Sequence, residues 1–121
     1  MTPHTFTTDD FKKYGAAVHR WLEAFGVTDW CVTIMHDQIG DRVNAQCQYN
    51  TTTKQVCFRL TVNTEGDYGM VIDPERLALH EVLHLVLADY CETVAKLGDP
   101  VHPLVASREH EVINKLMRVM K

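Results

Sequence analysis

His80-Glu81-Val82-Leu83-His84 is the stretch on which the reading of this chain turns. An α-helix advances about 100° per residue, so side chains four apart stand about 40° apart around its axis. On a helix, His80 and His84 therefore offer two imidazoles to one metal ion, with Glu81 beside them. Two imidazoles and a neighbouring carboxylate are the parts of a zinc-activated water site. The neighbours Leu79, Val82, Leu83, Val86 and Leu87 surround the rings with apolar bulk, which keeps the local dielectric low and orients the imidazoles. Glu81 is the one acid in the run from Leu77 to Ala88. A buried carboxylate needs a partner, and metal-bound water would supply it. The plain alternative is a surface helix that merely carries two histidines and a glutamate, and the apolar run argues against it.

Outward from the motif, Asp73-Pro74 reads as a helix start, with Asp73 as N-cap and Pro74 at the first helical position. The helix runs to about Lys96, where Gly98 and Pro100 end it. A last helix starts near Pro103 and continues to the C-terminus. Upstream, residues 63–72 read as loop, with Gly66 and Gly69 as flexible points. Val56, Phe58, Leu60 and Val62 alternate with Cys57, Arg59 and Thr61. Val43, Ala45, Cys47 and Tyr49 alternate with Asn44, Gln46 and Gln48. A period of two is a half-buried strand, and the polar turn Asn50-Thr51-Thr52-Thr53 joins the two strands as a hairpin. Trp30-Cys31-Val32-Thr33-Ile34-Met35 is a further short strand, rich in β-branched and aromatic residues. Residues 8–25 form a first helix, capped by Thr7 or Thr8 and stopped by Gly26. Its apolar face is Phe11, Tyr14, Val18, Leu22 and Phe25, with Trp21 as core packing.

The 121 residues, 45% of them hydrophobic, suit one α+β domain spanning residues 1–121 with one real core. Twelve basic against sixteen acidic residues leave a net charge of −4, with no cluster of Lys and Arg among aromatics. Nucleic acid is therefore a poor partner, since phosphate binding needs a basic surface. No apolar run approaches the ~18–20 residues of a membrane span. The start Met1-Thr2-Pro3-His4-Thr5-Phe6 lacks the basic and apolar regions of a secretory signal, which points to the cytoplasm. Cys31, Cys47, Cys57 and Cys91 form no C-x-x-C pair, so free thiols are expected. The hairpin register places Cys47 and Cys57 on opposite faces, which disfavours a disulfide between them.

A catalytic zinc takes three protein ligands and keeps one place for water. The extended spacing H-E-x-x-H-x-x-G-x-x-H is absent, because Leu87 and Tyr90 stand where it needs Gly and His. The third ligand must come from farther along, and Glu109, Glu111 and His110 are the candidates. Val105, Val112, Ile113, Leu116 and Met120 form the apolar stripe of the last helix, and Glu109 lies within about 60° of each of them. Glu111 lies about 160° from the centre of that stripe, beside Arg108, Lys115 and Arg118, and reads as a solvated charge. His110 sits on a flank. Glu109 is therefore the first choice, Glu111 the second and His110 the third. A salt bridge at the rim of the core is the bland reading of Glu109.

His80-Glu81-Val82-Leu83-His84, followed by a core-facing Glu109 on a second helix, resembles the gluzincin group of zinc metallopeptidases. The short length is similar to that of the single-domain minigluzincins and of small zincin-like proteins of phage and bacterial genomes. The resemblance implies a zincin-like α+β fold: an N-terminal helix, then a small mixed sheet of about three strands whose edge strand lies above the H-E-x-x-H helix, then a Glu-bearing C-terminal helix. Residues 54–62 would be that edge strand, binding an extended peptide. It further implies Zn2+ held by His80, His84 and Glu109, Glu81 as general base, and hydrolysis of peptide bonds in a peptide or protein substrate. Members often add an oxyanion-stabilising His or Tyr, for which Tyr68, Tyr90, His36 and His102 are available. The competing expectation is a catalytically silent zinc-binding module that acts through protein–protein contact.

Overall fold

The computed structural model describes residues 4–40, 42–65, 72–96 and 109–120. Helix α1 (Thr8–Ala24) opens on a capping box in which Thr7 Oγ1 accepts from Asp10 N–H and the Asp10 carboxylate accepts from Thr7 N–H. It closes at Gly26, whose φ of +72° is the left-handed conformation that a side chain would oppose. Tyr14, Ala17, Val18 and Leu22 form its buried face.

Strands β2 (Cys31–His36), β3 (Ala45–Asn50) and β4 (Gln55–Leu60) form one mixed sheet in the order β2-β4-β3. The β2–β4 pair is parallel and the β3–β4 pair antiparallel. The strand expected at the edge is thus the central one. The reason lies in its inward side chains. Val56, Phe58 and Leu60 are all buried, as the middle of a covered sheet requires, whereas β3 turns the smaller Ala45 and Cys47 inward and leaves Tyr49 exposed. Cys47 faces Phe58 across the ladder and Cys57 faces Gln48, so the two thiols lie on opposite faces, and all four cysteines are free.

The third strand also ends earlier than its alternation implies. At Thr61 the chain leaves β4, and Asn63–Thr64 (β5) pairs antiparallel with His4–Thr5 (β1). The side chain of Gln38 reinforces that departure, donating to Asn63 C=O and accepting from Asn63 N–H. The pairing of β1 with β5 was not anticipated, because two-residue strands carry no period. Gly66, Gly69 and Tyr68 lie outside the described residues.

Helix α2 (Pro74–Lys96) starts as the sequence implies, with Asp73 capping Glu75 N–H. It is buried on two sides. Leu77, Ala78, Val82 and Leu85 join α1 and the sheet in the main core, with Phe6, Tyr14, Trp30 and Phe58. Leu79 and Leu83 form a second cluster with Ile113 and Met117 of helix α3 (Glu109–Val119). A helix packed on both sides has no single apolar stripe. The stops at Gly98 and Pro100, the start near Pro103, and Val105, His102 and Arg108 all fall outside the described residues. Among those described, no helix is long and apolar enough to cross a membrane.

Candidate metal centre

Between the two faces that α2 buries runs the side bearing His80 and His84. Their rings lie 5.0 Å apart, centre to centre, and the ring of His110 stands 5.8 Å from the first and 4.6 Å from the second. One ring nitrogen from each of the three falls within 4.8 Å of the other two. Tetrahedral zinc, with Zn–N bonds of about 2.0–2.1 Å, needs donors about 3.4 Å apart, so small rotamer changes close the set. Three His side chains therefore lie close enough to bind one metal ion. Neutral imidazole is the ligating form, and burial, followed by the neighbouring His84 and His110, pushes the His80 pKa down to about 4.

The three candidates for the third donor part company here. His110 belongs to the group. Glu109 Oε1 instead lies 3.1 Å from His84 Nδ1. An ionised carboxylate only accepts hydrogen bonds, so this contact puts the proton on Nδ1 and leaves Nε2 of His84 as the lone-pair donor. Glu111 is exposed and pairs with Lys115 at 3.2 Å, as a solvated charge should. The stripe read from the sequence lacks Met117; Ile113 and Met117 together centre the buried face about 60° from Glu109 and about 40° from His110. Val112 is 37% exposed, and the buried residues of α3 are Ile113 and Met117. His110 stands three and seven residues before them, on the same face.

Glu81 is 7% exposed, and burial raises its carboxyl pKa to about 7. Its neighbours feel it. The Tyr14 phenol and the Cys47 thiol are both pushed upward, first by their own burial and then by the Glu81 carboxylate. Tyr14 O–H donates to Arg59 C=O at 3.2 Å. His80, Glu81 and His110 line a cleft of about 410 Å³ whose opposite wall is Val43, Asn44 and Ala45 at the start of the edge strand β3. Arg42, Arg76, Leu77 and Met117 complete it.

Of the side chains available to steady an oxyanion, His36 stacks on Phe11 at 5.0 Å, and Tyr90 is 65% exposed on α2. Tyr68 and His102 fall outside the described residues. Tyr49, which sequence reasoning passed over, shares the inward face of β3 with Ala45 and Cys47. Its phenol is raised by burial and then by Glu109. Its place near the site follows from the packing of β3 against α2. Comparison with known protein families, with characterised proteins and with solved structures finds no match for this chain.

Proposed function

We propose that this chain is a zinc-dependent metallopeptidase of zincin-like build, with His110 in place of the gluzincin glutamate, that hydrolyses peptide bonds with Glu81 as general base. The observation that carries the reading is the cleft that His80, Glu81 and His110 line together with the start of β3, the outer strand of its sheet among the described residues. Imidazole donors with a nearby carboxylate suit zinc. Held by His80, His84 and His110, the ion would acidify a water molecule and polarise a carbonyl. Glu109 then acts on His84, fixing its tautomer and ring orientation, as carboxylates do behind metal-bound histidines.

The chain's own residues supply the rest. Glu81 accepts the water's proton and returns it to the leaving amine. A carboxyl held near pH 7 by burial suits both transfers, because general acid–base groups work best near the operating pH. The outer edge of β3, unpaired among the described residues, offers backbone N–H and C=O groups to an extended peptide, whose side chains would alternate between the cleft and solvent. Substrate recognition thus falls to β3, not to residues 54–62.

The test is cleavage of an unstructured protein such as casein by the zinc-loaded chain, with and without a chelator. Chelator-sensitive cleavage that disappears in Glu81→Gln, at unchanged zinc content, is expected. Full zinc occupancy without cleavage would replace the peptidase with a metal-stabilised binding module.

A further inference from the structure

We infer that Arg76 is a positioning residue for the metal centre: its guanidinium, hydrogen-bonded to the C-terminal carbonyls of α3, sets the register of that helix along α2 and so the approach of His110 to His80 and His84. The inference rests on the metal-centre reading above.

The contact between α2 and α3 is largely apolar, made by Leu79, Leu83, Ile113 and Met117 with Leu87, Leu116 and Met120 at its margin. Apolar burial is non-directional. Ile113 and Met117 are four residues apart, as are Leu116 and Met120. A slide of α3 by one turn, about 5.4 Å, would bring similar side chains back into similar places. The same slide would carry His110 out of reach of the other two rings, whose donors lie within 4.8 Å of it. Something directional must select the register.

Arg76 supplies it. Nη1 donates to Met120 C=O at 2.8 Å and Nη2 to Met117 C=O at 2.7 Å. These are last-turn carbonyls that have no partner within their own helix, at the end where the helix dipole is negative. A rigid guanidinium reaching two carbonyls one turn apart specifies position along the helix axis, which a flexible ammonium does less well. Arg76, His80 and His84 follow one another at four-residue steps, so the clamp and the two donors share one side of α2. The helices run antiparallel here, with Arg76 at the C-terminal end of α3 and His110 at its start. The stretch from Met117 back to His110 covers about 10 Å, close to the rise from Arg76 to between His80 and His84.

The experiment is a double-mutant cycle on the full chain, read as zinc affinity by competition with a chromophoric chelator. Far-UV circular dichroism checks folding. Arg76→Met is expected to weaken zinc binding about 10- to 100-fold, in the range of lost supporting contacts around metal sites. Arg76→Lys should fall between it and the parent chain. In a His110→Ala background, Arg76→Met should cost no further affinity, because the donor it positions is gone. A general loss of stability would instead multiply the two effects, and multiplied losses, or an unchanged affinity in Arg76→Met, would overturn the inference. If Arg76→Met does not fold, the same cycle with Arg76→Lys decides. If the parent chain itself binds no zinc, the metal-centre reading fails first; if it binds zinc and the cycle shows no coupling, only the role of Arg76 falls.

Discussion

Glu81 holds the two chemical demands of the site in one side chain. As the proposed general base it must be ionised to take a proton, yet it is buried, and burial raises its pKa from 4.5 to about 7. In the metal-free protein this has a sign. Below pH 4.5 both folded and unfolded chains carry the proton. As pH rises through 7 the unfolded chain has already ionised while the folded one resists, so the stability tied to Glu81 is lost across that window. Glu81→Gln removes the effect. At pH 8 it should stabilise the chelator-treated protein by about 2–3 kcal/mol, and at pH 4 by almost nothing. His80, with its pKa lowered to about 4, works in the opposite direction as pH falls below 6.5, and the comparison of parent with variant cancels it. Urea titrations at the two pH values measure the difference. The donors divide as sharply. His110→Ala should weaken zinc more than Glu109→Gln, which should cost about 10- to 100-fold as the loss of a supporting hydrogen bond. The reverse order in a competition titration would restore Glu109 as the ligand.

Each helix owes its boundaries to chemistry written beside it, and the tests at this scale are of stability. Gly26 ends α1 at a φ of +72°, with nothing within 4 Å of where a Cβ would stand. Gly26→Ala should therefore cost about 1 kcal/mol through backbone strain alone, with no steric relay into the core. A thermal melt that leaves the midpoint unmoved would show that the turn readily adopts another conformation. The Thr7–Asp10 box at the other end is acid-sensitive. Backbone hydrogen bonding from Thr7 holds the Asp10 carboxyl below its ordinary value, so its contribution is present above about pH 4 and fades as the acid is protonated. The strands are less self-declaring. Alternation located β3 and β4 to within two residues at each end, but it is a property of a strand on its own. It does not record which neighbour lies on either side, and so it misassigned the edge.

At the scale of the molecule a metal held by the three histidines would tie α3 to α2 beside the smaller apolar cluster. His80 and His84 come from α2, which the main core anchors, while His110 comes from α3, held by the smaller cluster of Leu79, Leu83, Ile113 and Met117. An ion bound only by the folded arrangement adds to its stability by mass action, about 2.7 kcal/mol at a hundredfold excess over the dissociation constant. Chelation should lower the melting midpoint by about 10 °C in a domain of this size, and His80→Ala should show the lower midpoint with or without chelator. An identical midpoint in zinc and in chelator would contradict the shared-donor site. The sequence alone determined whatever depends on neighbours along the chain: the helix carrying two histidines four residues apart, the Asp73 and Thr7 caps, the Gly26 stop, the alternating strands and the opposite faces of Cys47 and Cys57. Only the tertiary structure decided the strand order, the β1–β5 pairing, the presence of β3 beside the histidines, and the gathering of His110 with His80 and His84. The reason is physical. A helical turn or a pleat imposes its period on adjacent residues. A choice between two side chains one residue apart on a distant helix depends on how that helix is rotated and how far it has slid, and these are settled by packing, by Ile113 and Met117 against Leu79 and Leu83.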